Sequence, residues 1–336
     1  MASGIGVGYG SVFPGGFNSV TIRGVPIVQS HPGRVFWVSN STTTPLDGQL
    51  GGADGNGQGT FNKPFATLNY AVTQCIANRG DVIFIKPNHA ETIATASAIT
   101  LGVAGVAVIG LGTGSSRPTF TWSAAASTIN VTANNISLQN LLCISTMATP
   151  FTTTAFTVLT TVVAKDFIID NCEFRDSATT TGFLGIVTQG GTTAAAMDGF
   201  TFSNNTYTRL LATVTNVVPA VVVTAAHSRL TFVGNYITQT TANNNVALLV
   251  DFGANSQTGL RVSGNRTASL NTGTTAGELF SGGSTGSSGL VSDNYSGHLA
   301  SSGLLAPTGT KLKFIQNFCH ITGAADKSAL INPAAV

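Results

Sequence analysis

L-T-F-V-G-N at 230–235 and L-R-V-S-G-N at 260–265 are one phrase with different fillers, and the fold turns on how that phrase is read. It also occurs as D-F-I-I-D-N at 166–171, F-T-F-S-N-N at 200–205, G-L-V-S-D-N at 289–294 and L-K-F-I-Q-N at 312–317. A weaker copy, N-I-S-L-Q-N, ends at Asn140. Aligned on the final residue, the copies end at Asn140, Asn171, Asn205, Asn235, Asn265, Asn294 and Asn317, in steps of 31, 34, 30, 30, 29 and 23 residues. A period of this size marks units that cannot bury their apolar face alone and must stack on their neighbours.

The unit is strand-like. Apolar residues alternate in Leu230-x-Phe232, Leu260-x-Val262 and Leu312-x-Phe314, and β-branched or aromatic types dominate. A polar loop follows each Asn, then a second apolar run: Phe183 to Val187, Val217 to Val223, Val246 to Phe252, Glu278 to Phe280 and Gly303 to Leu305. Short strands wound at about 4.8 Å per coil predict an all-β protein, a single-stranded parallel β-helix. Each Asn is expected at a corner, in the left-handed backbone conformation, with its amide bonded to the same residue one coil away. That ladder is read as structural rather than ligand-binding.

Composition agrees with a stacking solenoid. Charged residues make up 8% of the 336 residues and the net charge is +2, so no basic cluster is available to neutralise nucleic-acid phosphates. No apolar run is long enough to cross a membrane as a helix. Met1 to Gly10 has neither the basic start nor the apolar core of a secretory signal, and Cys75, Cys143, Cys172 and Cys319 show no metal or redox spacing. Free thiols made in a reducing cytoplasm are expected, and no cofactor is expected.

Three regions follow in order. Residues 1–34 form a Gly-rich arm, either flexible or docked on a neighbouring subunit or partner. Residues 35–80 carry a strand, a Gly/Asp loop and a helix predicted over Pro64 to Asn78, whose task would be to cover the exposed first coil. Residues 81–336 would be the coils. Asp54-x-Asn56-x-Gln58 is read as a bare turn because it lacks the closing Glu of a calcium loop, and Gly110-x-Gly112-x-Gly114 as a tight corner because no helix follows it.

K-P-F-A-T-L-N-Y-A-V (63–72), G-D-V-I-F-I-K-P-N-H-A-E-T-I (80–93) and V-A-V-I-G-L-G-T-G-S-S-R-P-T-F (106–120) resemble the opening of right-handed parallel β-helix proteins of the pectate-lyase-like superfamily, especially bacteriophage virion proteins. The resemblance covers about Phe61 to Phe120. It implies the fold strongly and the activity weakly, since many superfamily members cleave polysaccharides and many others are only structural.

Glycan cleavage needs two carboxylates at a set separation, or a base and a metal held by several acids. The densest acidic group is Asp166, Asp170, Glu173 and Asp176, with Arg175 among them; these are the catalytic candidates if the chain is an enzyme, and an ion-paired turn if it is not. The five histidines show no metal-ligand spacing. The expected function is therefore a non-enzymatic virion structural protein, an exterior capsid decoration or head-fibre component assembling as a homotrimer and contacting capsid or tail proteins through its arm. The alternative is a tailspike-type polysaccharide depolymerase, or a module that binds a host surface glycan.

Overall fold

The computed structural model describes residues 21–22, 25–26, 33–40, 50–148, 153–159, 162–210, 218–240, 247–269, 278–281, 284–298, 311–321 and 328–330. Most of the Gly-rich arm and the apolar run Gly303 to Leu305 lie outside them. Each repeat lays down three short strands, as in Thr201–Ser203, Thr206–Arg209 and Val221–Val222, and the next repeat adds its strands beside them in parallel. Among the described residues this builds two sheets of ten strands and one of seven. The first runs from Val35–Val38 to Lys311–Ile315, the second from Ala90–Ile93 to Ser328–Leu330, and the third from Ala96–Leu101 to Glu278–Ser281. The chain is an all-β parallel solenoid, and the one antiparallel pairing within these sheets is the last, Phe318–Ile321 with Ser328–Leu330.

Alternation sends every second side chain inward, and register stacks like on like. The first sheet contributes the buried row Val108, Leu138, Ile169, Phe202, Phe232, Val262 and Val291. Phe156, Val187, Val221, Val250 and Phe280 do the same from the third. Trp37 and Trp122 are both buried, so neither lines a groove.

Two expectations about the N-terminal part change. The helix spans only Leu68–Thr73, not Pro64 to Asn78, because both flanks have other partners. Phe65 exchanges main-chain bonds with Trp37 and Ser39 and is extended, while the Asp54 carboxylate accepts from the Ala66 and Thr67 amides and fixes the helix start. At the other end Cys75 N–H bonds back to the Val72 carbonyl, tightening the turn, and the Asp81 carboxylate takes the Ile76 amide. Leu68, Ala71 and Val72 pack into the core beside the first coil. The second change is that Val35–Val38 pairs in parallel with Val82–Ile85, so the first sheet begins ahead of the helix rather than after it. The Gly110 corner closes on the next coil: Asn140 Nδ2 donates to the Gly110 and Gly112 carbonyls, and only a three-residue 3₁₀ turn, Gly114–Ser116, follows.

Candidate functional site

The repeated corner between the first and second sheets is the most regular polar feature among the described residues. Its turn is made by the residue before the ladder position: Asn204, Gly234, Gly264, Asp293 and Gln316 all have φ between 50° and 68°. That turn swings the next side chain inward, where Asn205, Asn235, Asn265, Asn294 and Asn317 are at most 1% exposed. Asn265 Oδ1 accepts from Asn235 N (3.0 Å) and Asn235 Nδ2 (2.9 Å), and its own Nδ2 donates to Phe232 O and to Asn294 Oδ1, both at 2.9 Å. The same pattern runs from Asn205 through Asn317. In the middle rungs each amide hydrogen and lone pair is occupied, which leaves nothing to offer a ligand.

Asn140 and Asn171 do not belong to this ladder. They stand one residue earlier in register, at the left-handed position itself, with φ of 57° and 52°. Their coils present Leu141 and Cys172 at the ladder position, and Cys172 N–H donates to Asn205 Oδ1 at 2.9 Å. The expectation that one Asn both turns the chain and forms the ladder is thus corrected: two adjacent residues divide the tasks.

The four acidic candidates do not converge. Glu173 and Asp176 are three apart on one strand and face opposite ways, Glu173 outward and Asp176 inward at 4% exposure. Glu173 is held by Arg117 and Arg175. Asp170 accepts from Ser203 Oγ (2.7 Å) and Asn204 Nδ2 (2.9 Å) on the next coil. Asp166 sits in a left-handed turn before the strand, 3.5 Å from Arg229. It also borders a concavity of about 290 Å³ on the outer face of the first sheet, whose other carboxylate, Asp81, is paired with Arg79 and bonded to the Arg34 and Ile76 amides.

Asp176 belongs to an interior polar knot that the sequence did not single out. Tyr207 OH donates to Asp176 Oδ1 (3.2 Å), Arg209 Nε donates to the Tyr207 hydroxyl (3.2 Å) and Arg209 Nη2 to the Val218 carbonyl (2.7 Å). The Phe183 and Leu210 amides complete the carboxylate, each at 2.9 Å. Burial pushes the Tyr207 phenol well above its ordinary value, so it stays a neutral donor. The signal was available: Tyr207 and Arg209 are two apart on a strand whose alternate positions are buried, which places an arginine inside and demands an anion there.

His227 makes a second knot. Its Nδ1 accepts the Met197 N–H (3.3 Å), so Nε2 carries the proton and donates to Gln189 Oε1 (2.8 Å). Burial holds its pKa below the usual histidine value, with Asp198 3.9 Å away pulling it back up. Lys86 is buried with its ammonium 3.8 Å over the Phe61 ring, bonded to the Phe61 carbonyl, and burial lowers its pKa to about 8. The thiols of Cys75 and Cys172 are pushed up to about 12 by burial, which leaves them unreactive. Among the described residues no three His, Cys, Asp or Glu side chains lie together as metal ligands, and no helix is long and apolar enough to cross a membrane.

Neither a family model nor a curated protein sequence matches the chain. Solved structures with a similar path include a pectin methylesterase from Aspergillus niger, at 13% identity and a TM-score of 0.44 over 86% of this chain and 93% of that one. Pectin methylesterase PemA from Erwinia chrysanthemi follows at 12% and 0.42, over 87% and 90%. ORF18 of Geobacillus virus E2 gives 9% and 0.34, over 78% of this chain and 59% of that one. Likeness at this level says nothing about chemistry.

Proposed function

We propose that the chain is a non-enzymatic structural protein of a bacteriophage virion, a right-handed parallel β-helix that decorates the particle exterior as a homotrimer. It would be made in the bacterial cytoplasm, and residues 1–34 would anchor it to capsid or tail proteins, while the helix Leu68–Thr73 would help to cap the first coil. The observation that carries this reading is where the polar side chains are spent. The Asn ladder, the Asp176–Tyr207–Arg209 knot and the Asp170 contacts tie one coil to the next, and the Arg117–Glu173 pair reaches across two coils, which stiffens a rod along its axis. With 8% charged residues, the outer faces can pack against copies or a lattice while desolvating few ions.

Sedimentation of the purified chain should give three times its 34.2 kDa mass, and electron cryo-microscopy of the particle should place the copies outside the shell. Deletion of residues 1–34 should leave the trimer and abolish its attachment to particles. A monomer absent from virions would sink the proposal. Release of oligosaccharide from host capsule or lipopolysaccharide, abolished by Asp170→Ala or Glu173→Ala, would replace it with the depolymerase alternative.

A further inference from the structure

Of the eight large apolar side chains that stand exposed among the described residues, five belong to the later coils: Tyr236, Leu290, Tyr295, Ile315 and Phe318. Three of the five form a row. On the outer face of the second sheet Tyr236 pairs with Arg266, Arg266 with Tyr295, and Tyr295 with Phe318, on four consecutive strands. Their strand neighbours Ile237, Thr267 and Ser296 are buried, so this row points to solvent, and its rings are 47%, 44% and 48% exposed. Tyr236 and Tyr295 are two strand spacings apart, about 10 Å, with Phe318 one spacing of about 4.8 Å further on.

The guanidinium between the rings is uncommitted. Arg79, Arg117, Arg175 and Arg209 all have side-chain partners, whereas the exposed Arg266 side chain makes no hydrogen bond or ion pair among the described residues. Beside the row, Thr238, Ala268 and Gly297 stand in register, all of them small residues. Gly297 has a specific effect there. A Cβ at that position would lie 3.4 Å from Tyr295 Cε1 and 3.8 Å from its hydroxyl, so the ring reclines across the glycine. One face rests on the strand and the other is offered outward.

We propose that this row binds an anionic polysaccharide. The apolar faces of successive sugar rings lie on Tyr236, Tyr295 and Phe318, and a carboxylate or sulfate carried between them takes a two-pronged hydrogen bond from Arg266. A two-fold contact of this row with its own copy on a parallel rod would instead bring Arg266 against Arg266, with no acid on the row to answer it. A nucleic acid would present a phosphate at every nucleotide to a row holding one cation. The site depends on the sheet's register alone and stands apart from the virion reading.

The test is affinity electrophoresis of the full-length protein in native gels containing alginate, an acidic polyuronate, or dextran, a neutral glucan. Alginate should retard the protein at least about tenfold more strongly than dextran, and added salt should weaken the retardation. Arg266→Gln should abolish the preference for alginate, and Tyr295→Ala should weaken binding by about tenfold while Tyr295→Phe retains it. Gly297→Val, which lifts the ring, should weaken binding with Tyr295 still present. All the substituted positions but Gly297 are exposed, and unchanged melting would show each variant folded. No retardation in alginate, equal retardation of all variants, or tighter binding of oligo-dT would overturn the proposal. So would loss of the oligomer in Tyr295→Ala, which would make the face a contact between copies.

Discussion

The same corner is built in two ways along the rod. In the coils of Leu141 and Cys172 the ladder position is apolar or a thiol, and the interior beside it is filled by Trp122, Phe156, Phe174 and Phe183 in edge-to-face contact. From Asn205 onward the corner holds buried amides, and the second sheet's inner row changes from Phe174 and Tyr207 through Ile237 to Thr267 and Ser296, whose hydroxyls bond each other at 3.0 Å. At this corner the earlier coils are held by apolar volume and the later ones by hydrogen bonds passed from coil to coil, while an aromatic stack, Phe200, Phe232, Phe252 and Phe280, continues through the interior of the later coils. Small polar side chains on the second sheet's inner row are tolerable where their hydroxyls pair and a continuous ladder beside them satisfies the Asn amides and the carbonyls they reach.

If that division is right, the two regions should fail to different substitutions. Phe174→Ala, a cavity in the aromatic part, should destabilise by about 3–5 kcal/mol. Asn265→Ala should cost a similar amount, about 3–5 kcal/mol, because it strips partners from Asn235 N, Asn235 Nδ2, the Phe232 carbonyl and the Asn294 amide together. Urea melts of the two variants, with hydrogen exchange to locate the loosened coils, would check both the size and the region. Loosening spread evenly over the rod in both would erase the distinction.

Acid should act at the boundary between the regions. His227 is buried neutral with a lowered pKa, so its contribution is complete above the ordinary histidine value near 6.5 and is lost as pH falls from there toward its lower folded value. Protonation puts a hydrogen on Nδ1 where the Met197 amide already donates, and that lost bond is worth about 1 kcal/mol. His227→Gln should flatten the fall in melting temperature between neutral and mildly acidic pH.

Cys172→Asn should extend the ladder by one rung and raise stability by about 1 kcal/mol, whereas Cys172→Ala should not. Asn171→Gly, one residue away, should change stability by less than about 0.5 kcal/mol, because an exposed left-handed position suits glycine equally well. The same change at Asn205 should destabilise strongly. Equal effects at Asn171 and Asn205 would mean that register does not separate turn from ladder.

Strands, coils and corners could be read from the repeat because both periods are local: alternate apolar residues make a half-buried strand, and a turn residue recurs where the chain must bend. Asn140 and Asn171 were misplaced because alignment by residue type cannot see a slip of one. In Phe202-Ser203-Asn204-Asn205 two candidates stand side by side, and only the pairing Asp170 to Ser203 shows that Asn171 matches the first of them. The helix was overextended because its apolar rhythm continues past the point where Asp81 and the Trp37 strand claim its ends. The interior arginine was legible in principle, but its anion was not, since Asp176 lies on the neighbouring coil and is joined to Arg209 through the Tyr207 hydroxyl.

By itself, then, the sequence determined that this chain winds short strands into stacked coils, since that follows from the order of apolar and turning residues along the chain. Which asparagines meet, which acids are already held, and which tyrosines line up around Arg266 were decided only by tertiary structure. Residues about 30 positions apart become neighbours through inter-strand hydrogen bonds, and a shift of one residue in those bonds reverses the face that each side chain presents.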